Sequence, residues 1–186
     1  MTDEQIIELY WQRNESAISE TDSKYGAYCR TVADHILHST EDSEEYVNDT
    51  WLRAWNAIPP QRPKALKLFL AKITRNLAFD KFKALSAEKR GGSETDIILS
   101  ELEQCIADNT DVEGGYIAKE LGETINQFVS SLPPQERNLF IRRYFFAESI
   151  SEIAQKYTMT ENHVSVKLRR IRQKLKKHLT EEGYFS

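Results

Sequence analysis

Hydrophobic residues recur three or four positions apart along most of the chain, and no comparable run alternates between polar and apolar positions. This spacing places the apolar side chains of a segment on one face of an α-helix. Five segments show it, and we expect their apolar faces to form cores: 25–36, 47–58, 66–77, 117–128 and 164–175. The pattern predicts an all-α fold. Two helix starts are also predicted, at Ser39 or Thr40 before the acids Glu41 and Asp42, and at Thr160 before Glu161.

Prolines and glycines divide this helical pattern. The prolines at 59, 60 and 63 must end one helix and form a rigid loop before the next. Glycine pairs at 91–92 and 114–115 bracket an acidic segment, which is typical of a flexible linker. We therefore expect two small helical domains, residues 1–85 and 116–186, joined by an acidic linker over 86–115. A single continuous bundle is the alternative.

Composition narrows the class of protein. Hydrophobic residues make up 40% of the chain and charged residues 29%. This composition is sufficient to form hydrophobic cores and argues against a chain that is disordered throughout. The seven glycines form neither a Rossmann fingerprint nor a P-loop, and the two cysteines lack a CxxC partner. With no signal peptide and no long apolar run, we expect a soluble cytoplasmic protein without membrane insertion.

Charge alternates in blocks along the chain. Acidic side chains outnumber basic ones by nine in residues 1–49 and by seven in 86–131. Basic side chains are in excess by seven in residues 50–85 and by five in 132–186. Two basic segments separated by an acidic one indicate two surfaces that each meet a polyanion. The alternative is that these charged segments are solvent-exposed helix faces that bind no partner.

The second basic segment has the pattern of a helix-turn-helix. A short apolar helix from Ser149 is followed by a turn at residues 158–160 and a longer basic helix. At 100° per residue, one face of this helix is core: Val164, Leu168, Ile171 and Leu175. The opposite face predicts contacts to bases or phosphates by Asn162, Ser165, Val166, Arg169 and Arg170.

These segments resemble conserved regions of bacterial sigma factors. Residues 131–137 (SLPPQER), Arg142-Arg143 and the pattern from Glu152 to Arg172 resemble the last conserved region of the family. Residues 44–55 resemble the part of region two that binds the polymerase clamp, and 69–83 resemble the promoter-melting helix. The likeness covers roughly residues 20–182. Two domains and a linker are typical of the small extracytoplasmic-function (ECF) type.

The resemblance implies three sets of site residues. It adds Arg143 to the residues that contact the upstream (−35) element. For the downstream (−10) element it implies Lys72, Ile73, Arg75, Asn76, Asp80 and Lys83, with Asn76 lining a pocket for a flipped base. For core polymerase it implies Glu45, Asn48, Asp49 and Leu52.

The implied partners are core RNA polymerase (its β′ clamp and β flap), promoter DNA and an anti-sigma factor. Three positions depart from the family pattern. Asn48 replaces the usual glutamine, Phe69 replaces a common tryptophan, and the pair Ser165-Val166 replaces a basic–small pair. The last departure leaves the preferred upstream sequence open.

Enzymatic interpretations are weak. His35 and His38, with Cys29 six residues before His35, are too loosely spaced for a metal site, so we expect neither a metal, a cofactor nor a catalytic residue.

The predicted function is that of a sigma factor that binds core polymerase, recognises both promoter elements and melts DNA. The alternatives are a stand-alone helix-turn-helix regulator that binds operator DNA as a dimer, and a degenerate paralogue that acts only through protein contacts. The basic helix around Asn76 favours the first, because a stand-alone regulator has no use for a base pocket.

Overall fold

Two compact helical units make up the chain, Met1–Gly91 and Gly92–Ser186. The computed structural model describes residues 1–86, 92–106 and 115–184. All regular secondary structure in these residues is helical. This confirms the all-α class expected from the hydrophobic periodicity. None of the described helices is long and apolar enough to cross a membrane.

The described residues of the first unit form a bundle of four helices. In chain order they are α1 (Asp3–Trp11), α2 (Ser16–Leu37), α3 (Thr40–Ala57) and α4 (Leu66–Ser86). Helix α2 packs against both α3 and α4, and α1 packs on α2. The apolar stripes of the sequence meet in one core that includes Ile6, Tyr10, Cys29, Val47, Trp51, Ala54, Ile58, Leu66 and Leu70. The predicted start of α3 is also confirmed, since the Ser39 hydroxyl accepts a hydrogen bond from the Asp42 amide at 3.3 Å.

The core of the first unit contains two pairs of buried hydroxyls. Tyr10 Oη and Thr21 Oγ1 lie 2.9 Å apart, and Thr50 Oγ1 and Thr74 Oγ1 lie 3.0 Å apart. The second pair joins α3 to α4. Each threonine hydroxyl can also donate to the carbonyl four residues back in its own helix, so the pairs add polar contacts between helices to bonds within them.

The second unit contains the helix-turn-helix. Its elements are α5 (Glu94–Ile106), α6 (Gly115–Ser131), α7 (Pro134–Phe140), a π-helical turn (Ile141–Phe145), α8 (Ile150–Lys156) and α9 (Glu161–Glu181). The predicted inner face of α9 is confirmed, because Val164, Leu168, Ile171 and Leu175 are all buried. Ala154 of α8 is buried where α8 packs on α9.

Helix α5 lies where the sequence predicted a linker. It packs against α9 and the π-helical turn, with Ile98 and Cys105 buried. The amphipathic pattern of residues 97–106 therefore belongs to a helix that is part of the second unit. Residues 87–91 and 107–114 of the predicted linker lie outside the described residues.

Side chains cap both helices of the helix-turn-helix. Ser149 accepts from the Glu152 amide at 3.2 Å, and the Glu152 carboxylate accepts from the Ser149 amide at 2.7 Å. This reciprocal pair satisfies two backbone donors at the start of α8. Thr160 caps α9 through the His163 amide at 3.2 Å, as its position before Glu161 predicted.

Replacing Ser149 with alanine is expected to destabilise α8 by about 1 kcal/mol, because the amide of Glu152 loses its acceptor. Amide hydrogen exchange in α8 should become roughly fivefold faster. Ser149→Gly should cost only a few tenths of a kcal/mol, since glycine is tolerated at this position. Equal effects of the two substitutions would contradict the capping role.

Candidate nucleic-acid interface

The outer face of α4 carries a row of polar side chains. Lys72, Asn76, Asp80 and Lys83 are exposed at successive turns of the helix. The inner face is buried and includes Leu70, Thr74 and Leu77. The structure therefore brings four of the six residues predicted for the downstream element to one solvent-facing row. The other two, Ile73 and Arg75, are half-buried.

Arg75 lies beside this row. Its guanidinium carbon is 4.7 Å from the centre of the Phe79 ring, close enough for a cation–π contact. Burial lowers the pKa of Arg75, although an arginine keeps its charge at physiological pH. The buried Phe79 ring thus contacts the guanidinium of Arg75 one turn along the same helix.

The residues predicted to bind polymerase lie on one face of α3. Glu45, Asn48 and Leu52 are exposed and Asp49 is half-buried, at spacings of three and four residues. Leu52 is an exposed apolar residue on this face, with 58% of its surface accessible. The face borders an open groove between α2 and α3, lined by Glu15, Ile18, Ser19, Asp22, Arg30, Glu44, Asn48, Trp51, Leu52 and Trp55. A groove with tryptophan and leucine in its lining and acids at its rim can take up an apolar, basic partner helix.

The outer face of α9 carries the residues predicted for the upstream element. Asn162, Val166, Arg169 and Arg170 are exposed and Ser165 is half-buried. Arg169 and Arg170 lie one turn after Ser165 and Val166 on the same helix. This face can present an amide, a hydroxyl, a methyl group and two cations to one groove of DNA.

Arg143 does not share that surface. Its side chain is fully buried, although the resemblance to sigma factors implied that it contacts the upstream element. The guanidinium pairs with Glu94 and with Glu101, the latter at 3.1 Å, and donates to the carbonyl of Glu148 at 3.1 Å. Burial disfavours the charge of Arg143, but hydrogen bonds to Glu101 and Glu94 outweigh it and raise its pKa. In this conformation Arg143 is unavailable to DNA because α5 covers it.

Glu101 is the centre of the network around Arg143. Its carboxylate accepts from Arg143 Nε at 3.2 Å and from Tyr144 Oη at 2.9 Å. Arg172 of α9 lies 3.3 Å from the same carboxylate and donates to Tyr144 Oη at 2.7 Å. Burial raises the pKa of Tyr144, and the charge of Glu101 raises it further. Tyr144 is therefore a neutral donor that links α9 to α5.

Sequence reasoning missed Glu94, Glu101, Tyr144 and Arg172. A signal for the two acids was present, because residues seven apart lie on one face of a helix, here beside the buried Ile98. No comparable signal indicated that Arg143 would be buried as the partner of these acids. The π-helical turn adds a residue between hydrogen-bonded partners and so changes which side chains face inward.

The cysteines and histidines form no metal site in the part of the chain that the structure describes. No group of three His, Cys, Asp or Glu side chains there could hold a metal ion. Cys29 is buried in the core of the first unit, where burial raises the pKa of its thiol to about 11. A thiol in this state is a weak nucleophile, and it packs as a small apolar side chain.

Comparison with known proteins places the chain in a family. The model of sigma-70 region 2 matches residues 23–88, and the model of sigma-70 region 4 matches residues 117–175. The ECF RNA polymerase sigma factor SigW of Bacillus subtilis (strain 168) is 24% identical over 151 residues, covering 77% of this chain and 79% of SigW. The chain belongs to the sigma-70 family, as a member of the ECF type.

A solved structure is also similar. CnrH in complex with the cytosolic domain of CnrY matches with a TM-score of 0.44 and 18% identity, covering 97% of this chain and 99% of that chain. Membership of the family gives the chain a role in transcription initiation, through core RNA polymerase and promoter DNA. Sigma factors are not themselves catalysts.

Proposed function

We propose that this sigma factor recognises a −35 element through α9 and a −10 element through α4, and melts the DNA when bound to core polymerase. The observation that carries the proposal is the division of α9 into two faces. One face is buried in the second unit, and the other presents Asn162, Val166, Arg169 and Arg170 to solvent. A helix anchored in this way can enter a major groove without losing its packing.

The side chains of α9 suit different parts of the upstream element. Asn162 and Ser165 can hydrogen-bond base edges, and Val166 can contact a thymine methyl group. Arg169 and Arg170, one turn further on, can bind a guanine edge or phosphates. We infer that the N-terminal half of α9 reads sequence and that its arginines fix the helix on the duplex.

The exposed row on α4 suits the downstream element. Lys72 and Lys83 can bind the phosphate backbone on either side of Asn76. Extruding a base from the duplex costs a few kcal/mol, which contacts to the extruded base must offset. The amide of Asn76 can donate and accept hydrogen bonds on the edge of such a base. We infer that Asn76 stabilises the melted state more than the closed duplex.

The exposed face of α3 is our proposed site for the β′ clamp of core polymerase. Leu52 supplies an apolar centre, and Glu45 and Asp49 supply charge beside it. The second unit is proposed to meet the β flap. An anti-sigma factor is proposed as the partner that covers both of these polymerase-binding faces.

The test is capture of a promoter by the chain alone, by core polymerase alone and by both together. The duplex is first enriched from a random-sequence pool with the mixture, because the preferred sequence is unknown. Permanganate then detects unpaired thymines in the captured duplex. We expect retention and thymine reactivity only in the mixture. Tight, sequence-specific binding by the chain alone would instead support a stand-alone regulator.

Replacing Asn76 with alanine is expected to reduce thymine reactivity roughly tenfold, because one or two hydrogen bonds to the extruded base are lost. Retention of the duplex by the mixture should change less than twofold, since the −35 contacts remain. The matched control is Asn56→Ala, which removes an exposed asparagine of α3 outside the predicted sites. Equal losses of retention and melting would contradict a role specific to the melted strand.

A further inference from the structure

An acidic helix occupies the cationic face of the second unit. The carboxylates of Glu94 and Glu101 on α5 hold Arg143, and Glu101 also holds Arg172. Arg143 has 1% of its side-chain surface exposed and Arg172 has 18%. The oxygens that surround these guanidinium groups have the charge and geometry that phosphates would also supply.

The same helix reaches the edge of the face proposed to read DNA. Gln104 and Cys105, at the C-terminal end of α5, line a groove together with Arg169, Arg172, Gln173 and Lys176 of α9. Arg169 is one of the residues predicted to contact the upstream element. Helix α5 would therefore block a duplex from contacting both Arg169 and Arg143.

We propose that α5 is an intramolecular competitor of promoter DNA, which must detach from α9 and the π-helical turn before the upstream element can contact Arg143. The proposal rests on the proposed function, since it assigns a phosphate contact to Arg143 in the bound state. It explains why an arginine in the DNA-binding region is buried in the free chain, and it predicts weak DNA binding by the chain alone.

The contacts of α5 suit a reversible attachment. Its ion pairs to Arg143 and Arg172 can be exchanged for pairs between the same arginines and DNA phosphates, so the cationic groups need not lose their partners. Among the described side chains of α5, Ile98 and Cys105 are buried apolar residues, whereas Leu99 and Leu102 are only half-buried. If α5 is attached in a given fraction of the chains, the apparent affinity for DNA is reduced by that fraction.

Cys105 is a built-in reporter of this equilibrium. It is 5% exposed against α9, and burial raises the pKa of its thiol. Detachment of α5 would expose the thiol and speed its alkylation. The chain has one other cysteine, so the substitution Cys29→Ala leaves Cys105 as the single target.

The experiment measures alkylation of Cys105 by N-ethylmaleimide in the Cys29→Ala chain, by mass spectrometry. The probe is the duplex enriched with the reconstituted mixture, added with core polymerase. We expect saturating duplex to accelerate alkylation at least tenfold. Unchanged slow alkylation on the captured duplex would overturn the proposal, because α5 would then stay attached while DNA is bound.

A matched pair of substitutions tests the carboxylate. Glu101→Gln should accelerate alkylation roughly tenfold without DNA and strengthen duplex binding by the chain alone. Glu103→Gln removes the same charge from an exposed position of the same helix and should change neither. Equal effects of both substitutions would overturn the proposal in favour of a general effect of net charge. If Glu101→Gln also reduces the amide exchange protection of α9, the substitution has destabilised the unit. The alkylation of Cys105 in the Cys29→Ala chain on the captured duplex then decides whether α5 detaches.

Failure of this proposal and failure of the proposed function give different results. A mixture that captures and melts the duplex while alkylation of Cys105 stays slow contradicts only the competition by α5. A mixture that enriches no duplex contradicts the proposed function itself.

Discussion

Replacing Leu52 with arginine is expected to weaken binding of the chain to core RNA polymerase about 30-fold, equivalent to about 2 kcal/mol. Leu52 is an exposed apolar residue on the face of α3 that carries Glu45, Asn48 and Asp49. An apolar centre within a polar surface is the usual composition of an interface hot spot. An arginine there loses the apolar contact and places a cation where a basic partner would lie. The measurement is a titration of labelled chain with core polymerase.

The control for Leu52 is Leu68→Arg. Leu68 has the same exposed fraction, 58%, and lies in the same unit on α4, outside every predicted site. It introduces the same charge and the same side chain, so it should leave the affinity within about twofold. Equal weakening by both substitutions would contradict the assignment of the α3 face and point to a general effect of positive charge.

Replacing Leu168 with alanine is expected to lower the free energy of unfolding of the second unit by about 3 kcal/mol. Leu168 is 1% exposed and lies on the inner face of α9 between Val164 and Ile171. Truncation removes buried methyl groups and leaves a cavity that the surrounding helices fill only partly. The chain should then lose retention on promoter DNA with core polymerase, while its binding to core through α3 persists.

Tryptophan fluorescence separates the two units in this experiment. All three tryptophans, Trp11, Trp51 and Trp55, lie in the first unit. The urea midpoint from fluorescence should therefore stay unchanged for Leu168→Ala, while amide exchange in α9 becomes faster by about two orders of magnitude. A shifted fluorescence midpoint would show that the two units do not unfold independently.

The control for Leu168 is Val166→Ala on the opposite face of the same helix. Val166 is 38% exposed, so its truncation should change stability by less than about 0.5 kcal/mol. It should instead alter which bases are preferred in the upstream element, because a thymine methyl would lose its contact. A large loss of stability for Val166→Ala would contradict the division of α9 into a core face and a DNA face.

Much of the helical organisation could be predicted from the chain alone. The periodicity of apolar positions depends only on the pitch of the α-helix, so it identified the buried face of α9 and the stripes that form the core of the first unit. Caps depend on contacts between neighbours in sequence, and Ser39 and Thr160 cap α3 and α9 as expected. The exposed rows on α3 and α4 follow from the same spacing.

Contacts between residues far apart in sequence could not be predicted in this way. Residues 94–106 have an acidic composition and glycines on either side, which predicted a linker, but the helix they form has a partner surface on α9. That surface exists only after α9 and the π-helical turn are in place. Local composition therefore described the segment, and tertiary packing decided its position.

Arg143 shows the difference most clearly. By itself the sequence determined that two arginines lie side by side in a basic, DNA-binding type of domain. Only the tertiary structure decided that Arg142 remains partly exposed while Arg143 is buried between Glu94 and Glu101. The physical reason is that a buried charge needs partners, and its partners here come from 42 and 49 residues away in the sequence.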